Sequence, residues 1–206
     1  MEYLMKNTAS FGSDVACIRK ALNEITPGKT PVLALTEFNI NWNWKPHDSR
    51  QIAAEGTAWF ASVLLHSIKN DLDIAANWHS RKGGTFGMLG DSNEIRPVAR
   101  LYYIFNKYLK GKYFCSVTND VNIKCLGFAN EDSFGFVIVN KSDRKINVNL
   151  ALLNKPELIS KPFKGNSESF SLSREGYEIQ TRNILSSNEL EIYMLPYEVK
   201  LFSSRQ

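Results

Sequence analysis

Residues 31–39 constrain the fold of this chain most, because five nearly continuous apolar residues run directly into a carboxylate. The stretch reads Pro-Val-Leu-Ala-Leu-Thr-Glu-Phe-Asn. A strand that is apolar at successive positions, rather than at alternate ones, is typical of a parallel sheet with helices on both faces. Glu37 is therefore predicted to lie at the carboxyl end of a parallel strand, where α/β proteins bind their ligands.

The segments on either side of this strand have the periodicity of helices. Residues 13–25, 50–69 and 97–110 repeat apolar side chains at three- and four-residue intervals, which predicts helices packed on a sheet. Residues 72–78 predict a second short strand that ends at Trp78. Right-handed crossover connections would make the two strands parallel.

Beyond Gly111 the apolar period changes from helical to strand-like, and polar turns separate the runs. This spacing predicts an antiparallel β-sandwich. The predicted strands are residues 114–118, 123–129, 134–140, 145–152, 168–172, 190–195 and 198–202. The sequence therefore predicts an α/β domain over residues 1–111 and an all-β domain over residues 112–206.

The predicted α/β domain is too short to enclose a core by itself. Two parallel strands with helices on one side bury little, and a (β/α)8 barrel needs eight strands and about 250 residues. Either several copies of the chain assemble, or the chain is the tail of a longer protein. We favour the second alternative, in which the partner is the missing N-terminal part of a barrel.

The composition is that of an ordinary globular protein, with 43% hydrophobic residues, 22% charged residues and a net charge of +4. No dense block of Lys and Arg with interleaved aromatic residues is present, so we expect no nucleic-acid partner. No apolar run is long enough to span a membrane, so we expect no membrane partner. The first six residues lack the charged start and apolar core of a signal peptide.

The cysteines and histidines do not form a pattern that suggests a metal site. Cys17, Cys115 and Cys125 are widely separated, which favours small buried side chains over a disulfide framework or a zinc site. His47 and His79 have no third ligand at metal spacing. No metal is therefore predicted.

Several motifs occur in an order that resembles one group of enzymes. Thr36-Glu37-Phe38-Asn39 ends the first strand, Trp78 ends the second, and a loop leads into Arg-Pro-Val-Ala-Arg-Leu-Tyr at residues 96–102. This order resembles the last two barrel units of retaining glycoside hydrolases of clan A. It is most similar to the β-xylosidase and α-L-iduronidase family, with the α-L-arabinofuranosidases next.

The tail at residues 195–202 is similar to the last strand of the β-sandwich that follows the barrel in these enzymes. The resemblance implies a fold made of the last units of a (β/α)8 TIM barrel followed by an antiparallel β-sandwich. It also implies a carbohydrate substrate and cleavage of O-glycosidic bonds of xylose, arabinose or uronic-acid sugars by double displacement. No metal or organic cofactor is implied.

The resemblance also assigns roles to residues. In that family the seventh barrel strand ends in the nucleophilic glutamate, a position that matches Glu37, and the eighth often ends in an aromatic residue beneath the sugar, which matches Trp78. Asn39, Trp44 and His79 are further candidates for substrate binding. The acid/base of the family is a glutamate that follows asparagine on the fourth strand.

No residue of this chain matches that acid/base. The Asn-Glu pairs at residues 23–24, 93–94 and 130–131 lie in a predicted helix, a loop and a turn. Because a retaining glycosidase needs two carboxyl groups, the isolated chain is expected to be inactive.

Each of these roles has a structural alternative. Glu37 also fits a solvated carboxylate or an ion pair at a strand end, and Trp78 also fits a core position under the last helix. Trp42 and Trp44 fit a packed loop equally well, and Asn39 fits a turn residue.

A second hypothesis assigns the function to the β-sandwich, as a non-catalytic carbohydrate-binding or interaction protein. Exposed aromatic residues such as Tyr177 would then contact the sugar, and the N-terminal helices would form an oligomer interface. Glu37→Gln separates the two hypotheses, because it abolishes turnover in an enzyme and leaves such a binding protein unchanged.

Overall fold

The computed structural model describes the chain in six stretches, residues 1–41, 47–116, 118–130, 133–151, 167–182 and 189–205. Trp44, one of the candidate substrate-binding residues, lies outside the described residues. The chain divides into two units, Met1–Leu101 and Tyr102–Gln206. No helix in the described stretches is long and apolar enough to cross a membrane.

Helices and strands alternate up to residue 108, which confirms the predicted succession of helix, strand, helix, strand and helix. The two strands pair in parallel, as predicted, with Ala34 opposite Ile74 and Phe38 opposite Asn77. The elements are α1 (Glu2–Ile25), β1 (Ala34–Phe38), a 3-10 helix (Ser49–Ile52), α2 (Ala54–Ile68), β2 (Ile74–Asn77) and α3 (Pro97–Tyr108).

Helix α1 begins at Glu2, eleven residues before the predicted start at Ser13. The sequence did not predict its first half, because the residues buried there do not form a periodic apolar pattern. The Thr8 hydroxyl is fully buried and lies 2.8 Å from the Ser62 hydroxyl of α2. A side chain at Gly12 would place its Cβ 2.8 Å from the main-chain oxygen of His66, so glycine lets the two helices approach.

The prediction that β1 is buried on both faces is wrong. Of its five residues only Phe38 is buried, where the rings of Phe11, Trp59 and Phe60 lie 5.1–6.2 Å from its ring. Helices α1 and α2 supply those rings and cover this side of the sheet. Ile74 of β2, which pairs with Ala34 of β1, is 52% exposed.

The second unit contains antiparallel sheets, as predicted. A six-stranded sheet has the order β3-β4-β5-β10-β7-β8, and β6 pairs with β9 in a separate two-stranded sheet. The strands are β3 (Lys112–Cys115), β4 (Ile123–Ala129), β5 (Ser133–Asn140), β6 (Ile146–Ala151), β7 (Ser167–Ser173), β8 (Gly176–Arg182), β9 (Glu189–Met194) and β10 (Val199–Arg205). All seven predicted strands are present, and β8 is an additional one.

The two sheets share one apolar cluster. Phe136 and Ile138 of β5 and Phe202 of β10 contribute from the large sheet, and Ile192 and Met194 of β9 contribute from the small one. The Phe136 and Phe202 rings stack with their centroids 4.8 Å apart. Strand β8 lies at the edge of the large sheet, away from this cluster, and its Ile179 is 54% exposed.

Helix α3 begins at Pro97, as predicted, and ends at Tyr108. The Tyr108 hydroxyl donates to the Glu168 carboxylate at 2.8 Å, and its ring lies 4.5 Å from that of Phe170. The end of α3 therefore packs on β7 of the large sheet. The boundary between the two units falls inside this helix, between Leu101 and Tyr102.

Candidate functional site

A cavity of about 430 Å³ lies at the carboxyl ends of β1 and β2. This is the edge of a parallel sheet at which α/β proteins bind ligands. The residues that line it are Glu37, Phe38, Asn39, Ile40, Asn41, Trp78 and Phe86.

Glu37 is exposed and is the only carboxylate among the described residues that line the cavity. It lies where the pairing of β1 with β2 becomes irregular, and it is exposed although its neighbour Phe38 is buried against the helices. Within the described stretches no hydrogen bond or ion pair engages the Glu37 carboxylate. It is therefore available to a ligand.

Trp78 follows the last residue of β2 and is 42% exposed, so it does not occupy a core position. Its indole meets the His79 ring edge to face, with centroids 5.0 Å apart. The Asn39 side chain donates a long hydrogen bond of 3.5 Å to the Trp78 carbonyl oxygen. Asn39 thus connects the end of β1 to the end of β2.

Asn41, which lines the cavity on another side, is hydrogen-bonded to Asp48. The Asn41 side chain donates to Asp48 Oδ2 at 3.0 Å, and Asp48 also accepts from the main-chain amide and the side chain of Arg50. The hydrogen bond from the Arg50 guanidinium holds the pKa of Asp48 below its usual range. Asp48 therefore stays ionised and keeps Asn41 in place at neutral pH.

The loop between β2 and α3 is closely hydrogen-bonded. Met88 N donates to His79 O at 3.1 Å, and Arg96 N donates to Met88 O at 3.1 Å. The buried Arg96 side chain donates to Gly87 O at 3.0 Å. A Cβ at Gly87 would lie 2.3 Å from the main-chain oxygen of Lys82, so a glycine is needed where the loop folds on itself.

Three of the five predicted residues line one cavity, one does not, and one lies outside the described residues. Glu37, Asn39 and Trp78 are brought together, whereas His79 is next to Trp78 without lining the cavity. Trp44 lies outside the described residues. The structure leaves the catalytic and binding roles of these residues as predictions.

Sequence reasoning missed two groups near the cavity. Phe86 is 3% exposed and lines the cavity from within a glycine-rich loop, where it is the one large apolar residue of residues 83–87. Asn77 is a polar residue at the end of an apolar strand, and that position was the signal available. The roles of Phe86 and Asn77 both depend on how residues 78–88 fold, and the spacing of apolar residues in the sequence does not predict that fold.

The described lining of the cavity offers one carboxylate beside an aromatic ring. Among the described residues no group of three or more His, Cys, Asp and Glu side chains is placed to hold a metal ion. The sequence contains a further Asn-Glu pair at residues 188–189, of which Glu189 begins β9 in the second unit. Glu37 therefore has no described carboxyl partner in its own cavity.

A second cavity, of about 920 Å³, lies in the second unit between β9 and the strands β7, β8 and β10. Ser169, Glu178 and Gln180 contribute polar groups to its lining, and Tyr177 and Tyr193 contribute aromatic rings. Ser169 donates to the Gln180 carbonyl oxygen at 3.3 Å. This cavity thus offers both polar and aromatic surface.

Comparisons with known proteins identify the fold. No family model matches the sequence, and no curated protein matches it. Among solved structures, a xylanase of glycoside hydrolase family 30 from Clostridium acetobutylicum matches with a TM-score of 0.66 and 12% identity over 87% of this chain and 47% of that one. A monomeric β-xylosidase from Caulobacter crescentus matches with a TM-score of 0.62 and 14% identity over 94% and 49%.

A xyloglucanase of glycoside hydrolase family 44 from Paenibacillus polymyxa gives a TM-score of 0.66 and 16% identity over 93% of this chain and 35% of that one. A family 39 β-xylosidase is also among the matches. The chain thus spans between a third and a half of the length of the structures that it matches. These similarities establish that the fold is shared with part of several glycoside hydrolases.

Proposed function

We propose that this chain is the C-terminal portion of a retaining glycoside hydrolase of clan A, in which Glu37 is the nucleophile. The observation that carries the proposal is the Glu37 carboxylate at the end of a parallel strand, which no described residue engages and which lies in one cavity with Trp78 from the end of the next strand. The shared fold with xylanases, β-xylosidases and a xyloglucanase supports it. The proposed substrates are O-glycosides of xylose, arabinose or uronic-acid sugars.

The proposed reaction is a double displacement. A Glu37 carboxylate oxygen attacks the anomeric carbon, and the bond from that carbon to the leaving oxygen breaks while an acid outside this chain protonates that oxygen. The same outside group, now a base, removes a proton from water, which attacks the anomeric carbon and releases Glu37. The Trp78 indole offers a flat face on which a sugar ring stacks.

The exposed apolar surface of the first unit also supports the proposal that a partner is missing. Val32 and Ile74, before β1 and in β2, are 70% and 52% exposed, so this sheet leaves apolar residues uncovered in the described chain. Exposed apolar surface of this kind marks interaction sites. We therefore propose that residues 1–111 complete a (β/α)8 barrel with a preceding N-terminal part, and that residues 112–206 are its β-sandwich domain.

The test is the change of Glu37 to Gln in the full-length protein, obtained by extending the reading frame upstream of Met1. We expect turnover of aryl β-xylosides and α-arabinosides to fall by on the order of 10⁴–10⁶-fold, as when a catalytic nucleophile is removed from other hydrolases. Saccharide binding should stay within about threefold, because Gln keeps the shape of the side chain. Steady-state rates and calorimetric titration measure the two quantities.

A matched control is Glu55→Gln, which changes a carboxylate at the start of α2 and should leave turnover unchanged. A 2-fluoro-xyloside that traps the glycosyl-enzyme should label the peptide that contains Glu37 and should not label the Glu37→Gln protein. Full turnover by Glu37→Gln, or a label on another carboxylate, would contradict the proposal.

A second candidate function, carbohydrate binding by the second unit, is favoured by the cavity beside β9. Its polar groups and the rings of Tyr177 and Tyr193 suit a sugar. If this function is the correct one, Tyr193→Ala weakens saccharide binding, whereas in the proposed glycosidase it leaves both binding and turnover unchanged. Calorimetric titration of Tyr193→Ala, together with the turnover of Glu37→Gln, therefore decides between the two candidates.

A further inference from the structure

The side-chain amide of Asn77, the last residue of β2, contacts three main-chain carbonyl oxygens of the loop that follows. Its nitrogen lies 3.0 Å from Trp78 O, 3.1 Å from His79 O and 3.0 Å from Phe86 O. An amide nitrogen has two hydrogens, so at least one of them is shared between two acceptors. Three acceptors on one nitrogen also define which way the amide points.

These contacts reach both aromatic residues that the loop contributes to the cavity. Trp78 and Phe86 line the cavity beside Glu37, and they are eight residues apart in the chain. Asn77 holds the carbonyl group of each. Both rings are therefore fixed relative to the end of β2, and β2 pairs with β1, the strand that carries Glu37.

The loop between these rings contains no helix or strand, and its own main chain holds it only in part, through hydrogen bonds such as those from Met88 N to His79 O and from Phe86 N to Gly83 O. His79, Lys82, Gly83 and Gly84 all have positive φ, between 61° and 72°. Such a backbone presents its carbonyl groups in directions that no strand or helix satisfies. The amide of Asn77 satisfies two of the carbonyls at its ends.

We infer that Asn77 is the positioning residue for the aromatic wall of the proposed sugar site. It acts through Trp78 and Phe86, which it holds at a set distance from Glu37. The sugar as ligand rests on the proposed function, whereas the positioning is a property of this chain alone. Within the described stretches the Asn39 side chain makes one hydrogen bond, the 3.5 Å contact to Trp78 O, and Asn39 serves as a weaker matched control.

The test uses the chain labelled with 5-fluorotryptophan and observed by fluorine NMR. The four tryptophans give four resonances, and Trp78→Phe identifies that of Trp78. Asn77→Asp keeps the shape of the side chain but places a carboxylate against three carbonyl oxygens. We expect the Trp78 resonance to shift and broaden at pH 7, while that of Trp59, buried in α2, is unchanged.

Acidification adds a readout that a general loss of packing would not give. Once protonated, the introduced carboxyl donates one hydrogen bond, so the Trp78 resonance should return towards its wild-type position as the pH falls. Asn77→Ala should show the shift without the recovery, and Asn39→Ala should show a smaller shift.

An unchanged Trp78 resonance in Asn77→Asp and Asn77→Ala would overturn the inference. So would an equal disturbance of the Trp59 resonance, because Asn77 would then support the whole unit. A titration of the full-length protein with xylotriose separates the positioning role of Asn77 from the proposed function. We expect Asn77→Asp to weaken its binding by about tenfold at pH 7, as loss of a supporting contact does at other sites.

A wild-type full-length protein that does not bind xylotriose would count against the proposed sugar class. The fluorine spectra of the variants would still decide the positioning role of Asn77. Failure of the one claim is therefore distinguishable from failure of the other.

Discussion

The two units of this chain differ in how far their apolar side chains are buried. In the second unit two sheets enclose a cluster in which Phe136 is 2% exposed and Ile138 and Met194 are fully buried. In the first unit Val32 and Ile74 are 70% and 52% exposed beside a two-stranded sheet. The second unit thus closes on its own core, whereas the first has helices on one side of its sheet and an open surface that suits a neighbour.

The largest expected effect tests whether the core of the second unit is closed. Phe136→Ala removes a ring that stacks on Phe202 and should lower the free energy of unfolding of this unit by about 3–5 kcal/mol, through lost transfer energy and a cavity. Urea unfolding followed by far-UV circular dichroism measures it. All four tryptophans lie in the first unit, so their fluorescence reports that unit separately.

The control for this change is Ile179→Ala, at an exposed position of the edge strand β8. It should cost less than about 1 kcal/mol, as surface substitutions do. Equal losses from the two substitutions would show that the second unit has no specifically packed core.

The next effect tests how the first unit is held without a closed sheet. Arg19 of α1 is buried and donates to Pro31 O at 2.7 Å, to Asp71 O, and to Asp73 Oδ2 at 2.7 Å. Arg19→Ala leaves two carbonyl oxygens without this donor and should cost about 2–4 kcal/mol. The midpoint of urea unfolding followed by tryptophan fluorescence measures it.

Lys20→Ala, which removes an exposed cation at the next position of α1, is the matched control and should change stability little. If the two substitutions have the same effect, the Arg19 contacts do not join α1 to the sheet.

A smaller effect concerns pH. Hydrogen bonds from Leu33 N and then from Arg19 lower the pKa of Asp73 from its usual value. The ionised form is therefore favoured in the folded state, and its contribution is complete above about pH 4, the ordinary pKa of aspartate. It is lost as the pH falls through the lowered pKa. Because the Asp73 side chain is 43% exposed, the effect should be smaller than that of Arg19→Ala.

Thermal unfolding between pH 2 and pH 6 checks this expectation. Asp73→Asn should be less stable than the wild type at pH 6, and the difference should shrink towards pH 2. A difference that is constant with pH would show that the charge of Asp73 does not contribute.

The smallest expected effect tests the open surface. Val32→Ser replaces a 70% exposed side chain and should change the stability of the isolated chain by less than about 0.5 kcal/mol. Binding of the dye ANS and aggregation at high concentration should both fall, because the apolar patch is smaller. A loss above about 2 kcal/mol would mean that Val32 is covered in solution.

Local features of the fold could be predicted from the sequence. Strand β4 has the predicted limits, and α3 begins at the predicted Pro97, because periodicity, turn residues and proline geometry act over a few neighbours. The start of α1 could not be predicted, because Thr8 is buried through its bond to Ser62, 54 residues away. The exposure of β1 depends likewise on which elements cover it.

The same division applies to the candidate site. Glu37 and Trp78 follow neighbouring parallel strands, so their proximity at one sheet edge follows from the order of elements. Phe86 reaches the cavity only through a loop with successive positive φ values, and the amide of Asn77 meets carbonyls up to nine residues away. Such contacts depend on tertiary geometry and leave no periodic trace in the sequence.

Gly87, where the loop after β2 folds on itself, has a genetic consequence. Every single-base change that replaces glycine with another amino acid adds at least a methyl group. At Gly87 that group would lie 2.3 Å from Lys82 O and 2.7 Å from Leu89 O, which are main-chain atoms that cannot rotate away. Random mutagenesis should therefore recover few functional variants at this position, although Gly87 carries no chemistry of its own.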